Sequence, residues 1–380
     1  MISYWEKKHF LDYDTIIVGS GIVGLSCMAA ILEKYPKKSV VILEKGLFPT
    51  GSGVKNSEFP NFGSLSDILE SIKLHGEKET VTKIQQRWIG AQKLLKRMNK
   101  ISETAESGPN YEIITNENME LLSKIDYVNN LLFPIFKDTV YTTNNEKIAE
   151  MGLDGRRVKA LIRNKFEGQL DTETLLPALV TYVQKLGGQV LTGADVIDFR
   201  QKEKVVQVEI KVPLSLVKES YFFKCERLIL ATKSLKASDQ SSLDTKLKQE
   251  GILVTKPISG LKLKGAFHYN HKGEKYFWKV FDERIMLGRV GGGTQGTKRK
   301  EVDVLQEVLL PIENLEFDEE VSNKILPRTN DKLPSIKFLE SSVVQIVGEK
   351  TVGYALAAYF GGIVGEAMQT LAPHVINPRL

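Results

Sequence analysis

The chain has 380 residues, of which 42% are hydrophobic and 26% are charged, and its formal net charge is +5. This balance excludes a disordered or fibrous chain and allows two domains. Two cysteines, Cys27 and Cys225, exclude a disulfide framework and a cysteine-rich metal site. The basic residues are dispersed, and we find no nucleic-acid-binding motif, secretory signal or apolar run long enough for a transmembrane helix. We therefore expect a cytoplasmic protein.

The first predicted elements are a strand, a glycine-rich turn, a helix and a second strand. The strands are 14–18 (DTIIV) and 39–43 (SVVIL), and the helix begins near residue 25 and ends before Pro36. The turn between them is the hexapeptide 19–24 (GSGIVG). This order of elements is typical of a dinucleotide-binding βαβ unit.

Each glycine of the turn has a separate purpose in such a unit. Gly19 permits the tight turn, Gly21 lets the backbone approach a pyrophosphate, and Gly24 lets helix and strand pack closely. The amides at the start of the helix then bind the phosphates. Glu44 follows the second strand, where an acidic residue binds a ribose. The sequence therefore predicts a dinucleotide site.

The rest of the chain alternates between segments with the α/β pattern of a nucleotide-binding domain and segments with a different order of strands and helices. After a long loop at 51–64, apolar residues at helical spacing predict a helix over 81–98. A helix at 171–186, strands between 189 and 231, a strand at 343–347 and a closing helix at 362–371 restore the α/β style. We therefore predict a nucleotide-binding domain formed by residues 1–65, 155–235 and 335–380, interleaved with an α+β substrate domain formed by residues 66–154 and 236–334.

At this level of detail the chain resembles the flavin-dependent oxidoreductases typified by D-amino-acid oxidase and glycine oxidase. The resemblance depends on the ordered set 14–44, 49–56, 168–171, Val196, 231–232 and 361–366. It implies a Rossmann-like FAD-binding domain interleaved with a substrate domain built on an antiparallel sheet. It also implies an enzyme.

The resemblance implies that the nucleotide is FAD. The pyrophosphate would be held by Gly19, Ser20, Gly21, Val23 and Gly24. Glu44 would bind the adenosine ribose, and Lys45 would flank the adenine. The other implied cofactor residues are Gly51, Ser52 and Asn56 toward the flavin, Val196 beside the adenine, Ala231 and Thr232 along the nucleotide, and Gly361, Gly362 and Ile363 at the amino terminus of the last helix.

For the substrate we predict contacts from the second domain. Arg289 is a candidate clamp for a substrate carboxylate, and Tyr276 and His268 are candidate hydrogen-bonding groups. We expect no metal. The leading hypothesis is oxidation of the C–N bond of a small amine or amino acid by hydride transfer to the flavin, with oxygen or an electron carrier as the final acceptor.

Two alternatives remain at this stage. One is an FAD-dependent 2-hydroxy-acid dehydrogenase of the same fold. The other is a flavin-binding protein with a degenerate catalytic site. It is suggested by Glu58 in the flavin loop, by Leu326 where relatives often carry a carboxylate-binding Arg, and by Ala355 and Ala357 where glycines are expected before the last helix.

Overall fold

A computed structural model describes most of the chain. The described residues are 5, 10–49, 62–101, 109–167, 172–211, 220–232, 248–289, 297–309, 315–318, 321–325, 335–347 and 354–369. The predicted cofactor residues Gly51, Ser52 and Asn56 lie outside this set, as do Glu58 and Leu326. Among the described residues, no helix has both the length and the apolarity needed to cross a membrane.

The first sheet contains the predicted nucleotide-binding strands. Its central order is β15-β16-β9-β1-β2-β6, and the hairpin β7-β8 continues from β9. The bounds are β1 (Asp12–Val18), β2 (Val40–Leu43), β6 (Gln189–Leu191), β7 (Asp195–Lys202), β8 (Val205–Lys211), β9 (Ser220–Leu230), β15 (Ser335–Glu340) and β16 (Val343–Val347). The core pairs β16-β9, β9-β1, β1-β2 and β2-β6 are parallel. At the centre of the sheet β2 is fully buried and β1 is buried from Thr15 to Val18, because helices cover one face and the β7-β8 hairpin packs on the other.

The second sheet has the order β14-β10-β13-β12-β11-β3-β5-β4. Its bounds are β3 (Asn110–Ile114), β4 (Tyr141–Thr143), β5 (Ala160–Asn164), β10 (Lys248–Val254), β11 (Ala266–His271), β12 (Glu274–Phe281), β13 (Arg284–Arg289) and β14 (Val321–Ile325). Its pairs are antiparallel except β3-β11, which is parallel. The predicted fold class, a Rossmann-like domain with a second domain on a largely antiparallel sheet, is confirmed.

The helices are α1 (Ile22–Lys34), α2 (Leu65–His75), α3 (Glu77–Met98), α4 (Ile125–Phe136), α5 (Lys147–Glu150), α6 (Thr172–Lys185), α7 (Thr297–Val308) and α8 (Tyr354–Gln369), with a 3₁₀ segment at Asn116–Lys124. One apolar core joins α1, α6, α8 and the end of α3 to the first sheet. Cys27 is fully buried in it. A second core places α7 against one face of the second sheet.

Helix α8 packs very closely on two other helices, and glycines permit the contact. A Cβ atom on Gly361 would lie 2.5 Å from the carbonyl oxygen of Val23 in α1, and one on Gly365 would lie 2.5 Å from that of Cys27. On α3, a Cβ atom on Gly90 would lie 1.8 Å from the carbonyl oxygen of Ala355. The three backbones therefore approach more closely than any side chain at these positions would allow.

Two expectations about the organisation of the chain need comment. The last helix begins at Tyr354 and not near Gly362, so Ala355 and Ala357 lie within it. The strand β5 pairs with β3 and β4 in the second sheet, although residues 155–235 are predicted for the first domain. Apart from β5, the strands are divided between the two sheets as the predicted segments require. The domain boundaries themselves stay a prediction.

Candidate active site

The nucleotide end of the site lies where β1, β2 and β9 end. The amide of Gly19 donates to the carbonyl of Leu43 at 2.8 Å, and the amide of Ala231 donates to that of Val18 at 2.9 Å. Gly19 has a φ of +101°, which favours glycine. A Cβ atom on it would lie 3.0 Å from the carbonyl oxygen of Ala231 and 3.9 Å from Cβ of Thr232. The turn and the pair Ala231-Thr232 thus lie side by side, and the contact of this pair with the nucleotide stays a prediction.

Glu44 is fixed against the same turn. Its Oε2 accepts hydrogen bonds from the amide of Ser20 at 2.9 Å and from the Ser20 hydroxyl at 2.6 Å. Its Oε1 accepts from the amide of Gly46 at 2.8 Å. A carboxylate has about four acceptor positions, so Glu44 keeps capacity for a ribose hydroxyl.

The residues predicted around the adenine lie next to Glu44. The amide of Ala194 donates to the carbonyl of Glu44 at 2.8 Å. Lys45 Nζ lies 3.1 Å from Asp195 Oδ2, and Val196, which follows on β7, is buried. The structure therefore brings Val196 close to Glu44 and Lys45, although Val196 lies about 150 residues later in the sequence.

The start of α1 fits a phosphate group. Gly21 is the N-cap residue, no side chain caps the helix there, and its first turn carries no acidic residue. The orphan amides of a helix N-terminus attract an anion when no side chain satisfies them. A Cβ atom on Gly24 would lie only 2.0 Å from the carbonyl oxygen of Gly19, so the close turn depends on this glycine. Ser20, Gly21 and Val23 would hold the pyrophosphate of FAD here, which stays a prediction, and the amide and hydroxyl of Ser20 also donate to Glu44.

A valine at Gly21 tests this placement. Gly21 has φ −67° and ψ 176°, an extended conformation that valine adopts readily, so the fold should persist. The isopropyl group would occupy the approach to the α1 amides, so we expect purified Gly21→Val protein to be colourless. The measurement is the FAD absorbance per polypeptide after gel filtration. A variant that is as yellow as the wild type would contradict the placement.

The predicted position of Gly361, Gly362 and Ile363 is wrong in one respect. These residues lie about two turns inside α8, where Gly361 contacts α1 and Gly362 faces Lys93 of α3. They do not form the amino terminus of the helix, which begins at Tyr354. Their role in this structure is therefore helix packing, and their contact with the flavin stays a prediction.

On the substrate side, the two faces of the second sheet differ in character. Cross-strand partners have side chains on the same face, and successive residues of a strand alternate between faces. The face opposite α7 carries Asn110 and Glu112 of β3, His268 of β11, and Lys275 and Lys279 of β12. We call this set the polar face. Lys275 forms ion pairs with Asp67 and Glu70 of α2, so the polar face lies against the start of that helix.

His268 belongs to a buried hydrogen-bond network on the polar face. Its Nε2 lies 3.4 Å from Nδ2 of Asn110, which donates to Oε2 of Glu167 at 2.6 Å. Oε1 of Glu167 accepts from the amide of Gly63 at 2.9 Å, and the Tyr141 hydroxyl donates to the Gly63 carbonyl at 2.6 Å. Gly63, which belongs to the predicted loop 51–64, is therefore part of this network.

Two carboxyl groups of the network are buried. Glu112 is 3% exposed and Glu167 is 5% exposed. Burial raises the pKa of Glu112 to about 7, and the nearby charge of Asp67 acts in the same direction. Burial also raises the pKa of Glu167 to about 8, against the effect of the hydrogen bonds from Gly63 and Phe62. Burial lowers the pKa of His268. The polar face thus carries groups that exchange protons near neutral pH.

Tyr276 and Arg289 lie on the other face of the sheet, and the structure does not bring them to His268. They are cross-strand partners, and both bind Glu274. The Tyr276 hydroxyl donates to Oε2 of Glu274 at 2.7 Å, and Nη1 of Arg289 lies 2.6 Å from Oε1. The clamp role of Arg289 stays a prediction, and it would require this ion pair to open.

The sequence analysis did not identify Asn110, Glu112, Glu167 or Lys279. A signal was present in two of them. Glu112 interrupts the apolar strand 111–114, and Lys279 interrupts the aromatic strand 276–281. A charged residue inside a strand is unusual if that face is buried, so such interruptions merit attention as site candidates.

The buried carboxyls predict how stability depends on pH. Between its ordinary value of 4.5 and about 8, Glu167 keeps a proton in the folded protein that the unfolded chain has released. The contribution of Glu167 to the free energy of unfolding is therefore fully present below pH 4.5. It falls as pH rises toward 8, by up to about 1.4 kcal/mol per pH unit for each such group. Glu112 adds to this fall, whereas His268, whose pKa burial lowers, opposes it below its ordinary value of 6.5.

We expect Glu167→Gln to be less sensitive to pH than the wild type in urea denaturation between pH 5 and 8, because glutamine does not titrate. The exposed Glu120→Gln serves as the control and should keep the slope of the wild type. An unchanged slope in Glu167→Gln would show that this carboxyl does not retain its proton.

The parallel sheet, the glycine turn and the acidic residue after β2 define a dinucleotide-binding oxidoreductase. A model of the FAD dependent oxidoreductase family matches residues 14–367. The chain belongs to this family, and its cofactor is FAD. The search among curated proteins gave no match.

Solved structures share the whole fold at low sequence identity. Glycine oxidase from Geobacillus kaustophilus has a TM-score of 0.68 and 16% identity, with 95% of each chain covered. L-amino acid deaminase from Proteus vulgaris has a TM-score of 0.72 and 13% identity, with 97% of this chain and 92% of that chain covered. L-alpha-glycerophosphate oxidase from Mycoplasma pneumoniae, solved with FAD bound, has a TM-score of 0.67 and 16% identity, with coverages of 93% and 94%.

Proposed function

We propose that this oxidoreductase oxidises the C–N bond of a small amine or amino acid by hydride transfer to its flavin. The observation that carries the proposal is the polar face. There the buried carboxyl of Glu112 and the imidazole of His268, whose pKa is lowered by burial, lie close to the buried carboxyl of Glu167. A substrate ammonium is stabilised by such groups, and a proton acceptor near neutrality can convert it to the free amine that hydride transfer requires.

The same face disfavours the alternative of a 2-hydroxy acid. A 2-hydroxy acid has no ammonium group, so a carboxylate on this face would have no substrate cation to bind. A buried ammonium, that of Lys279, is also present on the polar face, so an amino acid with both charges stays within the proposal. The electron acceptor, oxygen or a carrier, and the cytoplasmic location remain predictions.

The test is an anaerobic screen in which flavin bleaching is followed with amines, amino acids, 2-hydroxy acids and glycerophosphate. We expect bleaching with at least one amine or amino acid. Bleaching by hydroxy acids alone would replace the proposal with the dehydrogenase alternative. A yellow protein that is reduced by dithionite but by no member of the panel would instead support a flavin-binding protein with a degenerate site.

A further inference from the structure

Glu112 has an unusual position for a carboxylate. It lies in the middle of β3 and is 3% exposed. Its Oε2 accepts a hydrogen bond from the amide of Ser66, in the first turn of α2, at 3.3 Å. Its Oε1 is buried and has no hydrogen bond of good geometry among the described residues, although the Ser66 hydroxyl and the Leu65 amide lie near enough to lower the pKa of the carboxyl. A buried carboxyl oxygen without a donor costs free energy, so this atom is suited to a donor from outside the chain.

The polar and charged groups around Glu112 determine which donor can bind to its Oε1. His268 is its cross-strand partner in the parallel pair β3-β11, with its side chain on the same face. The Nδ2 group of Asn110 can only donate, so Nε2 of His268 accepts and the neutral ring carries its proton on Nδ1. The titratable and charged groups around Glu112 are Asp67 of α2, His268 of β11, Lys275 and Lys279 of β12, Tyr141 of β4 and Glu167 after β5, with Arg87 of α3 acting on Glu167.

The charges of these neighbours leave Glu112 as the available proton acceptor. Lys275 is already paired with Asp67 and Glu70, and Glu167 receives two hydrogen bonds from Asn110 and Gly63. Because burial and the charge of Asp67 raise the pKa of Glu112 to about 7, its two protonation states are both populated at neutral pH. Glu112 therefore differs from Glu167 in having a buried carboxyl oxygen, Oε1, that lacks a hydrogen-bond partner among the described residues.

We propose that Glu112 receives the ammonium group of the substrate on Oε1 and accepts its proton before the oxidation. This inference rests on the proposed function. One N–H bond breaks and one O–H bond forms, the nitrogen keeps the electron pair, and the carboxylate becomes a neutral carboxylic acid. The deprotonated nitrogen keeps the lone pair that forms the C=N bond of the product, and FAD, when bound, would supply the two-electron acceptor for the hydride of the neighbouring C–H bond. Glu112 is thus a catalytic residue in the strict sense, because it touches the substrate.

The first test uses anaerobic flavin bleaching by the best amine of the screen as a function of pH. In the wild type the bleaching rate should rise with pH through about 7, the pKa of Glu112. In Glu112→Gln the bleaching rate at neutral pH should fall about a hundredfold, within the usual range for loss of a general base, and its increase with pH should disappear. The exposed Glu120→Gln is the matched control and should keep both the rate and its increase with pH. The flavin content of each variant is measured to exclude a loss of cofactor.

The second test does not depend on turnover. tert-Butylamine has no hydrogen on the carbon that bears nitrogen, so it binds as a cation and cannot be oxidised. Calorimetric titration of FAD-loaded protein should show tighter binding as pH rises through about 7, and at least tenfold weaker binding to Glu112→Gln. The neutral tert-butanol should show no such difference between the two proteins.

The outcomes separate the inference from the proposed function. If an amine bleaches the wild type but Glu112→Gln has the same pH profile, the inference is overturned and the function stands. If no amine or amino acid bleaches the flavin, the function fails and the role of proton acceptor falls with it. The tert-butylamine titration then decides whether Glu112 binds a cation, because only a dissociation constant that depends on Glu112 supports such a site.

Discussion

Gly24→Val is expected to lose both its flavin and a large part of its stability. Even the Cβ atom of the new side chain would lie 2.0 Å from the carbonyl oxygen of Gly19 and 3.4 Å from Cγ2 of Ile17. Neither neighbour can move freely, because the first is backbone and the second belongs to buried β1. Overpacking a core costs about 1–3 kcal/mol, and a backbone clash adds to this, so we expect a loss of about 3 kcal/mol or more.

The measurement is the urea midpoint of the apoprotein together with flavin content. Gly155→Val is the control, because only Ile148 lies near Gly155, at 4.0 Å, and Gly155 is in an exposed turn. The contrast with Gly21→Val is informative. That variant should lose flavin and keep the stability of the apoprotein, whereas Gly24→Val should lose both. A stable, colourless Gly24→Val protein would show that the turn can open without disturbing α1.

Gly90→Ala should destabilise the protein although alanine is the better helix former. In an exposed helix the replacement stabilises by about 1 kcal/mol. Here the added methyl would lie 1.8 Å from the carbonyl oxygen of Ala355, so α3 and α8 must separate. The loss of packing across both helices is larger than the gain in propensity, and we expect a net loss of about 2 kcal/mol.

Gly362→Ala provides a matched control for this prediction. The substitution is the same and also lies within a helix, but the nearest atom is Nζ of Lys93 at 3.3 Å, the far end of a flexible side chain. We expect Gly362→Ala to be neutral or slightly more stable. Thermal unfolding of both variants checks the pair, and equal midpoints would mean that α8 adjusts its position without cost.

The nucleotide part of the fold was predictable because its information is local. Residues 14–44 contain the strand, the turn, the helix and the acidic residue within one unit, and each glycine has a geometric requirement there. The strand 343–347 was predicted with the bounds that the structure shows. The family resemblance added the distant members Val196, Ala231 and Thr232, which the structure does place beside this unit.

The polar face was not predictable in the same way. Glu112 is buried because β3 pairs with β11, about 150 residues later in the chain, and nothing near Glu112 in sequence specifies that partner. The start of α8 was missed for another reason. The resemblance implies a helix terminus at Gly361 and Gly362, whereas the structure places both inside α8, where close contact with α1 and α3 offsets the low helix propensity of glycine.

The contact of α8 with α1 has a consequence for biosynthesis. Helix α1 is buried along nearly its whole circumference, and residues 354–369 provide much of the surface that covers it. A ribosome that adds about 5–20 residues per second needs tens of seconds to proceed from one helix to the other. During that interval the nascent α1 has no permanent cover, so chaperones that shield apolar segments should bind this chain early in translation and leave when α8 emerges.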